Sequence, residues 1–323
     1  RGQNKETFPI MSTIKYSFPA RGEMPPVDVY WYDGHWPDAA TGEEIYNRPK
    51  RPAGIPEGDG AEQGDAHLLT FCKTNHILID TGPAVNSENL ISYLKKNNCA
   101  MIQSVIITHA HRDHYGGLPP MLAAGIKVKS VFFNIPCPDL VAAEPWGCSA
   151  GEISAITNGL QQAGIPLKDI RAGTRWAMGT EGMLSVICAY DGIHSPVGRT
   201  DLNDTSAVLM LRHGRNRFLF AADLNRAVGG FLTTNCPGRL KADVLKFPHH
   251  GAESFPNESF FAVVNAKTFI VPAPVELWFS DRSARARKLT EGRAVFINGI
   301  CGDITVISDG KGFQVHSDKG NLR

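Results

Sequence analysis

A chain of 323 residues, 42% of them hydrophobic, has the apolar material for one large domain or two small ones around a buried core. None of its apolar runs reaches the roughly 18–20 residues that a bilayer-spanning helix requires. With 33 Lys+Arg against 32 Asp+Glu the formal net charge is +1, so the basic excess ordinarily seen in phosphate-backbone binders is absent.

Residues 1–62 are set apart by Pro9, Pro19, Pro25, Pro26, Pro37, Pro49, Pro52 and Pro56, with two strand-like runs, Ser12–Phe18 and Val27–Tyr32. They are expected to form an N-terminal extension to a main domain over 63–323. From Asp65 the pattern becomes regular. Ala66–Phe71 and His76–Asp80 read as short strands flanking a polar turn, and the second ends in Asp80-Thr81-Gly82. Asn86–Asn98 has helical periodicity, with Leu90, Ile91 and Leu94 on one face. Ser104–Thr108 is a continuous apolar run, the mark of a strand buried on both faces. Val128–Asn134 then predicts a strand, Glu152–Ala163 a helix and Met183–Ala189 a strand. Ser206–Leu211, Arg217–Ala221 and Val244–Phe247 form a second strand-rich block, followed by Thr268–Pro272, Ala294–Asn298 and Ile304–Ser308. Two strand-rich halves with intervening helices predict an α/β sandwich, two sheets packed together with helices outside.

The strongest chemical signal follows the 104–108 run: Thr108-His109-Ala110-His111-Arg112-Asp113-His114-Tyr115-Gly116-Gly117. Side chains alternate along an extended segment, so His109 and His111 point the same way and can hold one metal ion. Asp113 and His114 come as the chain turns and can reach a second ion. Gly116 and Gly117 permit a sharp turn, and Leu118-Pro119-Pro120 suits a helix start. Imidazole with carboxylate suits zinc, with manganese or iron as alternatives where oxygen ligands dominate. The seven cysteines include no CxxC pair, which argues against a cysteine-based zinc site. Cys137 and Cys148 read as either a disulfide or free thiols. The chain starts at Arg1 with no charged-then-apolar leader, so an export signal is expected to be absent or already removed, and the compartment stays open.

His109-Ala110-His111-Arg112-Asp113-His114 resembles the HxHxDH signature of the metallo-β-lactamase fold superfamily, and the strands leading to Asp80-Thr81-Gly82 resemble its opening strands. Asn203–Leu209, Phe218–Asp223 and Asp243–Gly251 look like the branch holding the competence DNA-uptake nuclease domain and a choline-phosphate esterase of bacterial surfaces. The likeness runs over residues 63–310 or so and implies a four-layer αββα sandwich. It implies that Asp223 bridges two metals, one oxygen to each, ~3.5–4 Å apart. It also implies a last ligand in His249-His250-Gly251. The family's general form has one histidine before the glycine, which favours His250 and leaves His249 to support it or to donate a proton to the leaving group. The ligand candidates are therefore His109, His111, Asp113, His114, Asp223 and His250, and the catalytic candidates Asp113 and His249. His194 and Asn203 compete for the remaining position on the first metal; Asn203 matches this branch, and His194 lies in a nearby loop. Asp80 is expected to anchor the metal-binding loop by hydrogen bonds, His67 and His76 to stand behind the ligands, and His35, His213 and His316 to face solvent. The branch's usual Gly-Asp is Ala222-Asp223 here, and Val271-Pro272-Ala273-Pro274 and Trp278–Ser283 replace its downstream serine and Gly-His-Pro. A different substrate pocket is implied.

Ser12–Trp36, extended by Gly54–Asp59, is similar to a C-terminal piece of Gfo/Idh/MocA-type oxidoreductases. No GxGxxG accompanies it, so no dinucleotide domain is expected, only an N-terminal β-hairpin against the main domain or a subunit contact. The larger resemblance implies a dinuclear hydrolase whose two zinc ions lower the pKa of a bridging water and polarise the electrophile. No GxSxG nucleophile elbow occurs. A phosphodiester or other small-molecule substrate is expected, with nucleic acid not favoured by the charge. A lactonase or β-lactamase-type carbonyl hydrolase, and a non-catalytic module with a degenerate site, are the alternatives.

Overall fold

The computed structural model describes residues 63–191 and 201–319, together with the backbone of the strand segments 11–18, 27–34, 36–37 and 44–45. His35 and His194 lie outside the described residues. Two compact units separate, Arg1–Asp59 and Gly60–Arg323. In the first, Met11–Phe18 pairs antiparallel with Val27–Gly34, Met11 opposite Gly34 and Phe18 opposite Val27. This is the hairpin predicted from the two strand-like runs.

In the second unit two sheets form the frame. One has five strands, in the order Leu167–Lys168, Val131–Phe133, Ser104–Ile107, Asn75–Ile79, His67–Phe71. All its pairings are parallel except the final hairpin. The other has seven, in the order Arg175–Met178, Gly182–Cys188, Val208–His213, Asn216–Phe220, Val244–Lys246, Thr268–Val271, Ala294–Ile297. Its first three pairings are antiparallel and its last three parallel.

Three cores make this a four-layer αββα sandwich. Ile77, Ile79 and Ile106 of the first sheet share a core with Leu184, Val186 and Leu209 of the second. Val105, Ile107 and Phe133, on the other face of the first sheet, pack with Leu94, Met121, Ile156 and Leu160 from helices Ser87–Lys96, Leu118–Ala123 and Ala150–Gln162. Leu219, Leu245 and Phe269 of the second sheet do the same with Val228 and Leu232 of Arg226–Asn235 and Phe260 and Val264 of Glu258–Val264. The 104–107 strand is apolar at every position from Val105 on because neighbouring residues fill different cores, Ile106 between the sheets and Val105 and Ile107 under the helices.

The helices after residue 222 escape sequence periodicity. Arg226–Asn235 contains Gly229-Gly230 and starts on Asn225, whose side chain accepts from the Ala227 and Val228 amides. A Cβ on Gly229 would sit 2.6 Å from Pro256, so the glycine is there for packing, against its low helix propensity. Among the described residues no helix is long and apolar enough to cross a membrane. All seven cysteines are free thiols, Cys137 and Cys148 included.

Candidate metal centre

Parallel strands place their carboxyl ends together, and in α/β sheets the crevice beyond those ends is where ligands sit. Strands 75–79 and 104–107 of one sheet end at Asp80 and His109; strands 216–220 and 244–246 of the other end near Asp223 and His250. The turns leaving them are tight. Asp80, Ala222, His249 and His250 have φ of 58°, 45°, 52° and 53°, a left-handed backbone that costs an L residue about 1–2 kcal/mol. Such strain persists only where surrounding contacts impose it, and it gathers at functional sites. At Ala222 the resembling branch has glycine, for which this conformation is free of cost.

Two groups of side chains converge there. His109, His111 and Asp223 present ligand atoms within 4.8 Å of one another, as do Asp113, His114, Asp223 and His250. Asp223 belongs to both. His109 Nε2 and His111 Nδ1 are 3.1 Å apart. In the second group His250 Nε2 lies 3.2 Å from Asp113 Oδ2 and 3.1 Å from Asp223 Oδ2, and His114 Nε2 lies 3.3 Å from the same Asp223 oxygen. A tetrahedral ion with Zn–N bonds of ~2.0–2.1 Å sets its ligand atoms about 3.3 Å apart, so these separations are those of ligands around one ion. Both His114 Nε2 and His250 Nε2 are buried without a hydrogen-bond partner. The residues present fit a pair of divalent cations.

The opposite ring nitrogens are fixed from behind. Asp80 accepts from the Thr108 amide at 2.7 Å and the Thr108 hydroxyl at 2.8 Å, and its Oδ2 is 2.9 Å from His114 Nδ1. Asp80 thus anchors the loop by hydrogen bonds. His250 Nδ1 is 2.9 Å from the Pro272 carbonyl, which can only accept. Each contact keeps a proton on Nδ1 and aims Nε2 at the carboxylates, where a cation would take the place of its proton.

The sequence profile described as Metallo-beta-lactamase superfamily matches residues 59–131, the span that contains HAHRDH. ComE operon protein 3 of Bacillus subtilis (strain 168) is 24% identical over 237 residues, which is 68% of this chain and 27% of that protein. Over residues 59–131 the chain thus matches the metallo-β-lactamase superfamily. It is a distant homologue of ComE operon protein 3 and spans about a quarter of that relative's length. Among solved structures, the metallo-β-lactamase fold protein YhfI of Bacillus subtilis aligns with a TM-score of 0.45 at 14% identity, covering 74% of this chain and 90% of its own. Zn(2+)-bound PqqB of Methylobacterium extorquens aligns with a TM-score of 0.43 at 12% identity, covering 71% and 83%.

The electrostatics of the site are dominated by buried carboxylates. Burial works to raise Asp223, yet His250, His114 and Lys246 hold it far below the ordinary carboxylate range. Burial would lower the His250 imidazole, but Asp223 and Asp113 outweigh it and push it up to about 10. His114 is raised well above its usual value by Asp223 and Asp80 against the same desolvation. His109 goes the other way: burial, then the neighbouring His114 and His111, keep it neutral.

The geometry places the remaining sequence candidates as follows. His249 does not join either group; its Nδ1 is 2.8 Å from the Glu253 carbonyl and its ring lies 6.3 Å from that of His250. The carbonyl can only accept, so Nδ1 carries the proton. Burial lowers His249 below its usual value, against Asp223, which raises it. Gly116 and Gly117 have helical φ of −59° and −75°, so neither is needed for the turn. They are needed for closeness: a Cβ on Gly117 would lie 2.2 Å from the Thr81 carbonyl oxygen. His76 bonds Thr70 and Cys99 instead of the ligands, and His213 is held at 2.9 Å by Ser308 rather than facing solvent. His316 is exposed, as expected. Asn203 is buried and its Oδ1 has no hydrogen-bond partner.

Three residues here escape sequence reasoning. Lys246 is buried and reaches the Ala222 carbonyl at 2.7 Å, Asp223 at 3.4 Å and Asp65 in a close ion pair. A lysine inside the apolar run Val244–Phe247 was the available signal, since a buried charge must be paired. Asp65, 1% exposed, and Glu144 carry no comparable mark in the sequence.

Proposed function

We propose that the chain is a dinuclear metal-dependent hydrolase acting on phosphodiester-type substrates. The observation that supports it is one carboxylate, Asp223, shared by two ligand groups that between them use His109, His111, Asp113, His114 and His250. When bound there, two divalent cations, with zinc favoured by the mixed nitrogen and oxygen donors, supply an acidified water and stabilise charge developing on the electrophile. Asp80 and the Pro272 carbonyl hold the ring orientations of His114 and His250. Lys246 offsets the charge of Asp65 and Asp223 in the dry interior. His249 takes a proton on Nε2 at the edge of the site. Water suffices as nucleophile, so no serine or cysteine is assigned. The phosphodiester class is supported by the likeness of Phe218–Asp223 and Asp243–Gly251 to the competence nuclease branch.

The test is zinc- or manganese-loaded protein on bis-p-nitrophenyl phosphate beside a chromogenic lactam and a lactone. Turnover of the phosphodiester at least about tenfold above either carbonyl substrate is expected. Faster lactam or lactone turnover replaces this assignment with a carbonyl hydrolase. Equal inertness of wild type and Asp223→Asn on all three points to a non-catalytic module.

A further inference from the structure

We infer that Glu144 is the positioning residue of the first metal group, fixing the tautomer of His111 and tying that histidine to the turn that carries Asn203. The inference rests on the proposed metal site. His111 points its two ring nitrogens in different directions: Nδ1 toward His109 Nε2 at 3.1 Å, and Nε2 toward Glu144 Oε2 at 2.9 Å. A carboxylate accepts, so the proton sits on Nε2 and the Nδ1 lone pair is left for the cation shared with His109. The other carboxylate oxygen, Oε1, accepts from the Leu202 amide at 2.9 Å, at the start of the 3₁₀ turn Leu202–Thr205. Glu144 is itself buried, 7% exposed. Both of its oxygens are therefore committed, one to the ligand and one to backbone from 58 residues further on.

The loop that carries Glu144 is fastened to the ligand segment. Arg112, inside the HAHRDH motif, donates its amide to the Gly147 carbonyl at 2.9 Å and its Nη1 to the Trp146 carbonyl at 2.6 Å, while its Nε engages both Glu152 oxygens at 2.9 Å. Gly147 is where the loop meets the ring: a Cβ there would lie 2.6 Å from His111 Cδ2. The loop thus leaves His111 one ring position, and Glu144 one tautomer within it.

Glutamine at this position cannot replace glutamate. One of its two head atoms donates, so it either faces the Leu202 amide with a donor or turns a donor on His111 Nε2 and drives the proton to Nδ1. Metal-free wild type, Glu144→Gln and Glu144→Ala would be titrated with zinc against a chromophoric chelator. Thermal melting of the metal-free forms would run alongside. In wild type two zinc ions bind. In both variants one of the two affinities is expected to fall about 10–100-fold, the usual cost of losing the partner behind a ligand histidine, while the other moves less than about twofold. Two unchanged affinities in a folded variant overturn the inference. A wild type that binds no zinc overturns the metal site itself, a different result. Should the variants fail to fold, ¹⁵N-histidine spectra of the zinc-loaded wild type decide: a proton on His111 Nε2 supports the inference, and one on Nδ1 ends it.

Discussion

Replacing Lys246 by methionine keeps the stem's volume and removes its charge from a site where Asp65 is 1% exposed and Lys246 3% exposed. Lys246 Nζ lies 3.4 Å from Asp223 Oδ1, an attraction of about 5 kcal/mol at an effective dielectric near 20. Lys246 is the strongest opposing charge on Asp65, so its loss leaves the buried carboxylate facing only the imidazoles of His250, His67 and His114, at 3.5, 3.6 and 4.0 Å. Breaking a buried pair from one side costs about 3–5 kcal/mol net. At roughly 2–4 °C per kcal/mol for a domain of this size, the metal-free Lys246→Met protein should melt about 6–20 °C below wild type. Adding Asp65→Asn removes the stranded charge and should recover at least half of that loss. The deficit also has a sign in pH. Wild-type Asp65 is held low by Lys246 against the desolvation that would raise it; without the lysine its folded pKa rises above the unfolded value near 3.9. The loss should therefore grow as pH rises past 4 in the single variant and stay flat in the double. Calorimetry in EDTA at pH 5 and pH 8 measures both. A single-variant loss under about 1 kcal/mol, or a double variant no better than the single, would refute the charge argument.

Asp223→Asn should reduce bound zinc from two per chain to at most one and phosphodiester turnover by at least about 100-fold; full metal content by atomic absorption contradicts its shared role. His249→Gln should retain both zinc ions yet lose about 10²–10⁴ in kcat, whereas His250→Gln should lose metal. Matching behaviour of the two would show that the pair is not divided as the geometry divides it. His250, raised to about 10, contributes stability to the metal-free protein that is complete below its unfolded value near 6.5 and is lost as pH climbs through 10. The metal-free melting temperature should then fall between pH 7 and 10, and zinc uptake at pH 7 should release protons, read by calorimetry in buffers of different ionisation enthalpy. Zero proton release would contradict the raised imidazoles. Gly117→Ala, which drives a methyl into the Thr81 carbonyl, should cost about 1–3 kcal/mol in urea unfolding.

The frame was readable because period and apolar runs report burial directly. Strands 67–71, 75–79, 104–107 and 304–308 lie within a residue or so of their predicted bounds. Helix 226–235, broken by two glycines, did not show, because its partner Pro256 lies on another element. The candidate ligands were visible for a similar reason: chemistry-bearing residues sit just past apolar strands, so Asp223 and the His249-His250 pair stand out. Their supports were not. Glu144 sits in Ala142-Ala143-Glu144-Pro145-Trp146, with no spacing rule to relate it to His111. Only the folded loop brings them together. The division of labour between His249 and His250 also depends on which carbonyl each Nδ1 meets, which no local pattern encodes.

Asp80 and His109 close strands of one sheet, whereas Asp223 and His250 close strands of the other, and an apolar seam of Ile77, Ile106, Leu184 and their neighbours joins those sheets. Cations seated among these residues would rivet the two halves of the sandwich at its open end. Occupancy then becomes a mechanical property of the fold: ion binding adds RT ln(1 + [L]/Kd) to the work of prying the sheets apart. Stripping the ions should quicken amide exchange in lockstep at Thr108 on one side and Leu224 on the other.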